Sequence, residues 1–223
     1  MVNEQAWKVL KQELDNKGVT LVAVSKTKPV GDIKALYDLG QRDFGENYVQ
    51  ELVDKQEQLP EDIHWHYIGH LQTNKVKQIA PFVQLIHAVD SFKLLQEINK
   101  QAERNNRIID VLLQMHIADE ETKFGMDEKE LLDFLEYYDA QKNDLSNVLI
   151  RGVMGMASFT EDAEQVRSEF KRLYAFFDNR KRSNFLFQDS FSICSMGMSG
   201  DYRIAIEEGS TMVRIGSLLF GAR

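Results

Sequence analysis

Lys26 stands at the end of a short apolar segment and is the first residue whose position could support covalent chemistry. Val22, Ala23 and Val24 precede it without polar alternation, a pattern typical of a strand buried on both faces. A lysine there is either a solvated strand end or a buried, neutral amine that attacks a carbonyl and forms a Schiff base. The segment alone leaves both interpretations open.

Two segments of small residues near the end of the chain could hold an anion. Residues 195–201 (Ser-Met-Gly-Met-Ser-Gly-Asp) connect a predicted strand to a predicted helix, and residues 214–217 (Arg-Ile-Gly-Ser) belong to the last predicted strand. Small side chains let a ligand approach the backbone, and a helix N-terminus offers free N–H groups and the positive end of a dipole. Glycine and serine also occur in ordinary turns, so either segment alone is weak evidence. Together they favour an anion-binding site.

Arg214 could add a fixed cation to this site. It precedes Gly216 by two residues, so both should face the same side of the last strand. An arginine on the outer surface, paired with a carboxylate, fits the pattern equally well. If the arginine faces inward, it joins a strand-end lysine and an anion site. This combination suggests pyridoxal 5′-phosphate, with the lysine holding its aldehyde and the small-residue segments its phosphate.

The elements that must position these residues alternate regularly. Short apolar segments alternate with amphipathic segments through short connections, which predicts βα units and a parallel sheet. The predicted strands comprise residues 22–26, 43–46, 64–69, 85–89, 191–196 and 212–220, with two more within 108–117 and 148–156. We therefore predict an α/β fold: a single (β/α)₈ TIM-type barrel spanning 1–223. A doubly wound open sheet is the alternative, but it would normally use fewer strands.

Several local features accompany the barrel prediction. A helix before the first strand places Trp7, Leu10 and Leu14 on one face, and we expect it to cover the gap left by an absent full eighth helix. Capping boxes are predicted at Asn47 with Gln50 and at Asp127 with Glu130. A long helix is expected to begin at Thr160, and residues 178–189 are expected to form a surface connection. In such barrels function lies at the carboxyl ends of the strands, and the last two loops often bind phosphate.

Composition excludes several classes of function. The 223 residues are 43% hydrophobic and 28% charged, with a net charge of −8, which argues against a nucleic-acid-binding protein. No secretory leader and no membrane-spanning segment is expected, so we predict a cytoplasmic protein. The single cysteine, Cys194, is interpreted as a small core residue in a reducing compartment.

Metal binding and self-association are not predicted. His64 and His66 are expected to face opposite sides of the third strand, which would exclude a joint metal site. His87 is interpreted as a hydrogen-bonded histidine of the barrel. A closed barrel exposes no sheet edge, so a monomer is expected.

The motifs of the chain resemble those of the pyridoxal phosphate homeostasis proteins, and they extend over nearly its whole length. The resemblance is carried by residues 24–29 (VSKTKP), 44–51 (FGENYVQE), 65–75 (WHYIGHLQTNK), 123–125 (KFG), 151–154 (RGVM), 195–199 (SMGMS) and 209–216 (GSTMVRIG).

The resemblance implies a barrel like the N-terminal domain of alanine racemase, with pyridoxal phosphate held as a Schiff base on Lys26. The further cofactor-binding residues that it implies are Asn47 beside the cofactor, Arg214 at the pyridine nitrogen, and Ser199, Gly200, Gly216 and Ser217 at the phosphate. The chain departs from the family pattern in a shorter N-terminal segment and in His116, which replaces the usual asparagine.

The leading functional hypothesis is a non-catalytic carrier for vitamin B6 homeostasis, with no catalytic residue assigned. Its expected partners are pyridoxal phosphate and the apo-enzymes that receive it. Lys28 is either a relay lysine for cofactor release or a solvated lysine, and the latter is favoured. A weak amino-acid racemase is the alternative, and it would need a second base from Tyr48, Tyr67 or His70. A third hypothesis is an aldolase that forms a Schiff base with a phosphosugar.

Overall fold

A computed structural model describes residues 2–118 and 124–221 of the chain. The described residues contain eight parallel strands, which pair in sequence order and close into a barrel. The strands are Thr20–Val24 (β1), Asp43–Glu46 (β2), His64–Tyr67 (β3), Leu85–Val89 (β4), Ile109–Met115 (β5), Val148–Gly155 (β6), Ile193–Ser195 (β7) and Met212–Ile215 (β8). The predicted (β/α)₈ fold is therefore confirmed, and the open sheet is excluded.

Helices precede β1 and follow each strand. They are Glu4–Asp15 (α1), Val30–Asp38 (α2), Val49–Gln56 (α3), Val76–Ile79 (α4), Phe92–Arg104 (α5), Glu128–Gln141 (α6), Ala163–Arg182 (α7), Tyr202–Glu207 (α8) and Ser217–Phe220 (α9). None of the helices in the described ranges has both the length and the apolar composition needed to cross a bilayer.

The strands bury side chains on both of their faces. In β1, Leu21 and Ala23 pack in the main core, which includes apolar side chains of the surrounding helices, whereas Val22 belongs to a separate cluster. That second cluster also contains Leu85, Ala88, Leu112, Met154 and Met212. Alternate residues of a strand point to opposite faces, so the unbroken apolar pattern of β1 follows from burial both inside and outside the barrel.

The last strand is shorter than the sequence predicted. β8 ends at Ile215, and the expected strand residues that follow Gly216 form the one-turn helix α9. This helix packs against α1, where the backbone N–H of Asn3 donates to the carbonyl oxygen of Leu219 at 2.8 Å. The predicted role of the N-terminal helix in covering this part of the barrel is confirmed, although a short helix shares it.

Helix caps were predicted with mixed success. Asp127 and Glu130 form the expected capping box. The box expected at Asn47 is wrong, because α3 has Tyr48 as its N-cap and the Gln50 side chain donates to Asp54 instead.

The long helix α7 is also displaced from its predicted bounds. It begins after Asp162, whose side chain accepts two backbone hydrogen bonds, rather than at Thr160. It extends to Arg182, so part of the expected surface connection is helical. Within the rest of that connection, Phe185 is buried and stacks on Phe191 with ring centroids 4.1 Å apart.

Gly152 on β6 is a position that the packing of the barrel restricts to glycine. A Cβ atom there would lie 1.7 Å from the carbonyl oxygen of Ile193 on β7, and the φ angle of Gly152 is +152°. We expect Gly152→Ala to lower the free energy of unfolding by about 3 kcal/mol or more, because strands β6 and β7 must separate. Urea unfolding followed by circular dichroism would measure this change.

Gly31 on α2 provides the matched control. No heavy atom lies within 4 Å of its ideal Cβ, and it has an ordinary helical environment. Gly31→Ala should leave the stability unchanged or raise it by roughly 0.5 kcal/mol. Equal effects of the two substitutions would contradict the packing assigned to β6 and β7.

Candidate functional site

A cavity of about 510 Å³ lies at the carboxyl ends of the strands. The apolar side chains of Val24, Ile68 and Met156 form part of its wall. The wall also includes all seven residues predicted to contact a cofactor: Lys26, Asn47, Ser199, Gly200, Arg214, Gly216 and Ser217. The fold thus brings together residues that are up to 191 positions apart, from the segments that follow β1, β2, β7 and β8 and from β8 itself.

Lys26 lies on a tight turn rather than at the last position of a strand. β1 ends at Val24, and the backbone N–H of Lys28 donates to the carbonyl oxygen of Ser25 at 3.0 Å, which closes the turn. Thr27, at the centre of the turn, has a φ angle of +63°, in the left-handed region. Lys26 is half-buried and lines the cavity.

Lys28 lines the same cavity and contacts the end of the last helix. Its ammonium donates to the carbonyl oxygens of Phe220 and Gly221 at 3.2 and 3.3 Å. Cations are favoured beside the carboxyl end of a helix, where carbonyl groups lack partners. Lys28 is therefore held against α9, which differs from the solvated lysine that we favoured.

The two small-residue segments are joined by a direct hydrogen bond. The backbone N–H of Gly216 donates to the hydroxyl oxygen of Ser199 at 3.3 Å. The first segment is tightly packed, because a Cβ atom on Gly197, whose φ is +97°, would lie 2.6 Å from the Cβ of Ala205. The two segments therefore form one continuous part of the cavity wall, which includes Ser199 and Ser217.

The helix expected to begin at Asp201 is too short to contribute much to anion binding through its N-terminus. α8 begins at Tyr202 and has six residues. The carboxylate of Asp201 accepts the backbone N–H of Met198 at 2.5 Å and also lines the cavity. Any anion in this part of the cavity would therefore depend on the hydroxyl and N–H groups of the small-residue segments.

Arg214 points into the barrel and is 4% exposed. Its guanidinium donates to the carbonyl oxygens of Ser195 and Gly155 at 2.9 and 3.0 Å and to the Ser195 hydroxyl at 2.6 Å. Burial lowers the pKa of Arg214 to about 10, so the side chain remains a cation at neutral pH. Of the two orientations left open by the sequence, the structure has the inward one.

A chain of hydrogen bonds crosses the barrel interior from Arg214 to Asp43. The Ser195 hydroxyl lies 3.3 Å from Nδ1 of His87, and Nε2 of His87 lies 2.9 Å from Nδ1 of His66. Nε2 of His66 lies 3.0 Å from a carboxylate oxygen of Asp43. His87 is thus the hydrogen-bonded barrel histidine that the sequence predicted.

The two ends of the chain fix the direction of every hydrogen bond when both histidines are neutral. Arg214 can only donate and an ionised Asp43 can only accept. His66 must then carry its proton on Nε2, which makes its Nδ1 the acceptor for Nε2–H of His87. Nδ1 of His87 accepts in turn from the Ser195 hydroxyl.

The electrostatics agree with this arrangement. Burial, assisted by His66 and Arg214, holds the pKa of His87 well below its ordinary value, which favours the neutral ring. Burial alone would raise the pKa of Asp43, but the hydrogen bonds and charges of His66 and His64 lower it overall. His87 is therefore a neutral ring between the Arg214 cation and the Asp43 anion.

The expectation that His64 and His66 face opposite sides is wrong. Residues two apart on a strand face the same side, and both rings approach the same oxygen of Asp43, at 3.3 and 3.0 Å. Among the described residues there is nevertheless no group of three or more His, Cys, Asp and Glu side chains that could hold a metal ion.

The residues proposed as a second racemase base lie elsewhere. Tyr48, Tyr67 and His70 line a neighbouring cavity, which shares Asn47 with the Lys26 cavity. Burial raises the pKa of Tyr67 to about 12, and its hydroxyl lies 3.2 and 3.1 Å from the carbonyl oxygens of Asn47 and His70. A tyrosine in this state is a hydrogen-bond donor rather than a base at neutral pH.

Other predicted residues take ordinary positions or are not described. Cys194 is fully buried, and burial raises the pKa of its thiol to about 12, as expected of a core residue. His116 follows β5, and its backbone N–H donates to Met126. Lys123, in the quoted Lys-Phe-Gly motif, lies outside the described residues.

Sequence reasoning missed the polar chain. His66, His87 and Ser195 lie on three different strands, and the sequence does not show that closure of the barrel brings their side chains within hydrogen-bond distance. A signal was present, since His87 interrupts an apolar strand and Ser195 ends another.

Comparisons with known proteins agree with the fold. The family model of the alanine racemase N-terminal domain matches residues 4–223. A protein of Aquifex aeolicus (strain VF5) named Pyridoxal phosphate homeostasis protein is 42% identical over 204 residues, which cover 91% of this chain and 86% of that protein.

Solved structures give the same result. PipY of Synechococcus elongatus, solved without PLP, matches with a TM-score of 0.89 and 34% identity, covering 97% of this chain and 99% of PipY. PipY with PLP bound matches with a TM-score of 0.85 and 33% identity, over the same shares. Alanine racemase of Streptomyces coelicolor has a TM-score of 0.72 at 12% identity, covering 94% of this chain and 56% of the racemase, a likeness of fold alone.

The direction of the hydrogen bonds can be tested by NMR of the histidine rings. We expect His87 to remain neutral at pH 5.5 because burial lowers its pKa, and to carry its proton on Nε2 when His66 is neutral as well, because Nδ1 then accepts from Ser195. Long-range ¹⁵N–¹H spectra distinguish the tautomers and the charged ring. In denaturant the same ring should titrate at about 6.5, the ordinary value for histidine. A charged His87 at pH 5.5, or a proton on its Nδ1 while both rings are neutral, would contradict the hydrogen bonds as described.

Proposed function

The chain belongs to the alanine racemase N-terminal domain family and to the pyridoxal phosphate homeostasis proteins, and we propose that it binds pyridoxal 5′-phosphate in the Lys26 cavity for vitamin B6 homeostasis. The observation that supports this function most directly is the cavity itself. It combines an amine, a guanidinium, hydroxyl groups and small-residue backbone segments, the donor set that an aldehyde with a phosphate group requires.

The residues of the cavity suit the separate parts of this cofactor. When bound, pyridoxal 5′-phosphate supplies an aldehyde that condenses with an amine and a ring that withdraws electrons. In our proposal Lys26 provides the amine and Arg214 faces the ring nitrogen. Asn47 lies beside the cofactor. The phosphate is held by residues of the two small-residue segments, namely Ser199, Gly200, Gly216 and Ser217.

Arg214 favours holding the cofactor over carrying out chemistry on it. Its guanidinium stays charged at neutral pH, because even the lowered pKa is about 10. It can donate a hydrogen bond to a ring nitrogen but cannot take a proton from it or supply a carboxylate that would keep it protonated. A ring whose nitrogen is unprotonated withdraws electrons less strongly, so we propose a carrier rather than an enzyme.

The racemase alternative needs a base on each side of a bound amino acid. Its candidates, Tyr48, Tyr67 and His70, line the neighbouring cavity, and Tyr67 is held as a hydrogen-bond donor to backbone carbonyls. The distribution of these side chains favours the carrier, and the assay described below separates the two functions.

The setting of the carrier is proposed on general grounds. We propose that the chain acts as one domain over residues 1–223, as a monomer in the cytoplasm, and that it transfers its cofactor to apo-enzymes. The closed barrel leaves no sheet edge to pair with another copy, and the net charge of −8 favours a dispersed protein.

The cofactor and its lysine can be tested by absorbance spectroscopy. After incubation with pyridoxal 5′-phosphate, the protein should show a visible band of the lysine-bound cofactor that borohydride removes. Lys26→Ala should lack the band, and Lys28→Ala should retain it, since Lys28 contacts α9 in the structure. A band that survives in Lys26→Ala would contradict the assignment of the lysine. No band in any form would overturn the proposed cofactor, and Schiff-base reactivity toward a phosphosugar would then support the aldolase.

Catalysis can be tested by incubating the loaded protein with single L-amino acids. Chiral chromatography should detect no D-enantiomer above the level seen with Lys26→Ala, because Tyr48, Tyr67 and His70 line the neighbouring cavity rather than the Lys26 cavity. Lysine-dependent formation of a D-amino acid would establish the racemase instead. If Tyr67→Phe abolished that activity, a residue of the neighbouring cavity would be implicated.

A further inference from the structure

A buried lysine lies beside the Lys26 turn. Lys55 lies on α3 and is 5% exposed. Its ammonium donates three hydrogen bonds: to the carbonyl oxygen of Ser25 at 2.8 Å, to Glu46 at 2.7 Å and to Glu51 at 2.6 Å. Buried lysines are rare and need partners of opposite charge. We call Lys55, Glu46 and Glu51 the Lys55 cluster.

The two carboxylates of the Lys55 cluster bind the residues on either side of Lys26. The hydroxyl of Ser25 donates to Glu46 at 2.5 Å, and the backbone N–H of Thr27 donates to Glu51 at 2.5 Å. Lys55 bonds to the same two carboxylate oxygens. The cluster therefore fixes the backbone of the Lys26 turn at two points, one before and one after the lysine.

The conformation of the turn explains why it needs these contacts. Thr27 has a φ of +63°, and a β-branched residue in the left-handed region is strained. Such a residue keeps its conformation only where the surrounding structure determines it. Its backbone N–H is held by Glu51, which in turn is held by Lys55.

The Lys55 cluster is separate from the cavity. Val24 and Lys26 line the cavity, whereas Ser25 between them is fully buried and contacts Glu46. The described residues that line the cavity include Lys26 but no member of the cluster. The cluster therefore acts on the Lys26 amine through the turn rather than by contact with the cavity.

We propose that Lys55 is a positioning residue for Lys26, holding Ser25 directly and Thr27 through Glu51 so that the turn presents the Lys26 amine to the cavity. This role rests on the proposed function, attachment of pyridoxal 5′-phosphate at Lys26, and extends it to residues that do not touch the cofactor. Lys55 is the centre of the arrangement, because it is the group that joins both carboxylates and the backbone.

A double-mutant cycle tests this role. Lys55→Met removes the charge and the hydrogen bonds while keeping an unbranched side chain. In the otherwise unchanged protein it should weaken binding of pyridoxal 5′-phosphate about tenfold and reduce the visible band at a fixed cofactor concentration. In a Lys26→Ala background, where only noncovalent binding remains, the same substitution should change the affinity less than about twofold. Lys55→Arg, which keeps the cation, should recover part of the band.

Two further variants keep the test decisive. Lys34→Met removes an exposed lysine that pairs with Asp38 four residues away, and it should leave affinity and band unchanged. Glu51→Gln keeps an acceptor for Thr27 but weakens its bond to Lys55, and the Glu51 side chain is 23% exposed, so this variant should fold even if Lys55→Met does not. It should weaken binding severalfold in the presence of Lys26 and have no effect in its absence.

The possible results separate the role of Lys55 from the function itself. Equal losses of affinity with and without Lys26 would show that the Lys55 cluster merely supports the fold, which overturns the proposal. Unchanged affinity and band in Lys55→Met would overturn it as well. Absence of any band in the unmodified protein would instead be a failure of the proposed function.

Discussion

The interior of this barrel is organised by one buried cation. An isolated guanidinium in an apolar core would be unstable, since a buried charge needs partners that replace water. Arg214 obtains them from Gly155 on β6 and Ser195 on β7. Once the Ser195 hydroxyl accepts from Arg214, its own proton must find an acceptor, and His87 on β4 supplies one. The hydrogen bonds then continue through His66 on β3 to the carboxylate of Asp43 on β2. The relative positions of several strands therefore depend on one buried charge.

The same constraint distinguishes the two ends of the chain of hydrogen bonds. At the carboxyl ends of the strands, Arg214 lines the cavity and is fixed by its neighbours, so a ligand meets a cation of defined position. Asp43 begins β2, and its side chain is 29% exposed there. Lowering of the Asp43 pKa keeps this end ionised and balances the buried guanidinium across the barrel. All hydrogen-bonding groups of this buried network have partners only when each of its residues is present. The network therefore favours a single arrangement of the barrel interior.

Much of the fold could be predicted from the sequence, because eight βα units leave few topologies other than a barrel. The end of β8 could not be predicted. Leu218, Leu219 and Phe220 continue its apolar pattern, and so short an apolar segment is compatible with either a strand or a one-turn helix. Of the seven predicted cavity residues, six follow strands that end on the same side and Arg214 lies on the last strand, but the complete set was implied by the family resemblance. The Lys55 cluster could not be predicted. The sequence shows that Glu51 and Lys55 are four residues apart on one helix, but it does not show that Glu46 on β2 contacts the same lysine. The expectation for His64 and His66 was wrong although the sequence contains the information, because residues two apart on a strand face the same side.

The shape of the site bears on the choice between carrier and enzyme. A two-base racemase excludes water and places one proton-transferring group on each face of the reacting carbon. Here Phe159 at the cavity is 97% exposed and Gly200 is exposed as well, so the cavity communicates with solvent. Its two lysines, Lys26 and Lys28, both follow β1. A site with fixed anchors and an open entrance allows a ligand to be held and released, which is the physical requirement of a carrier.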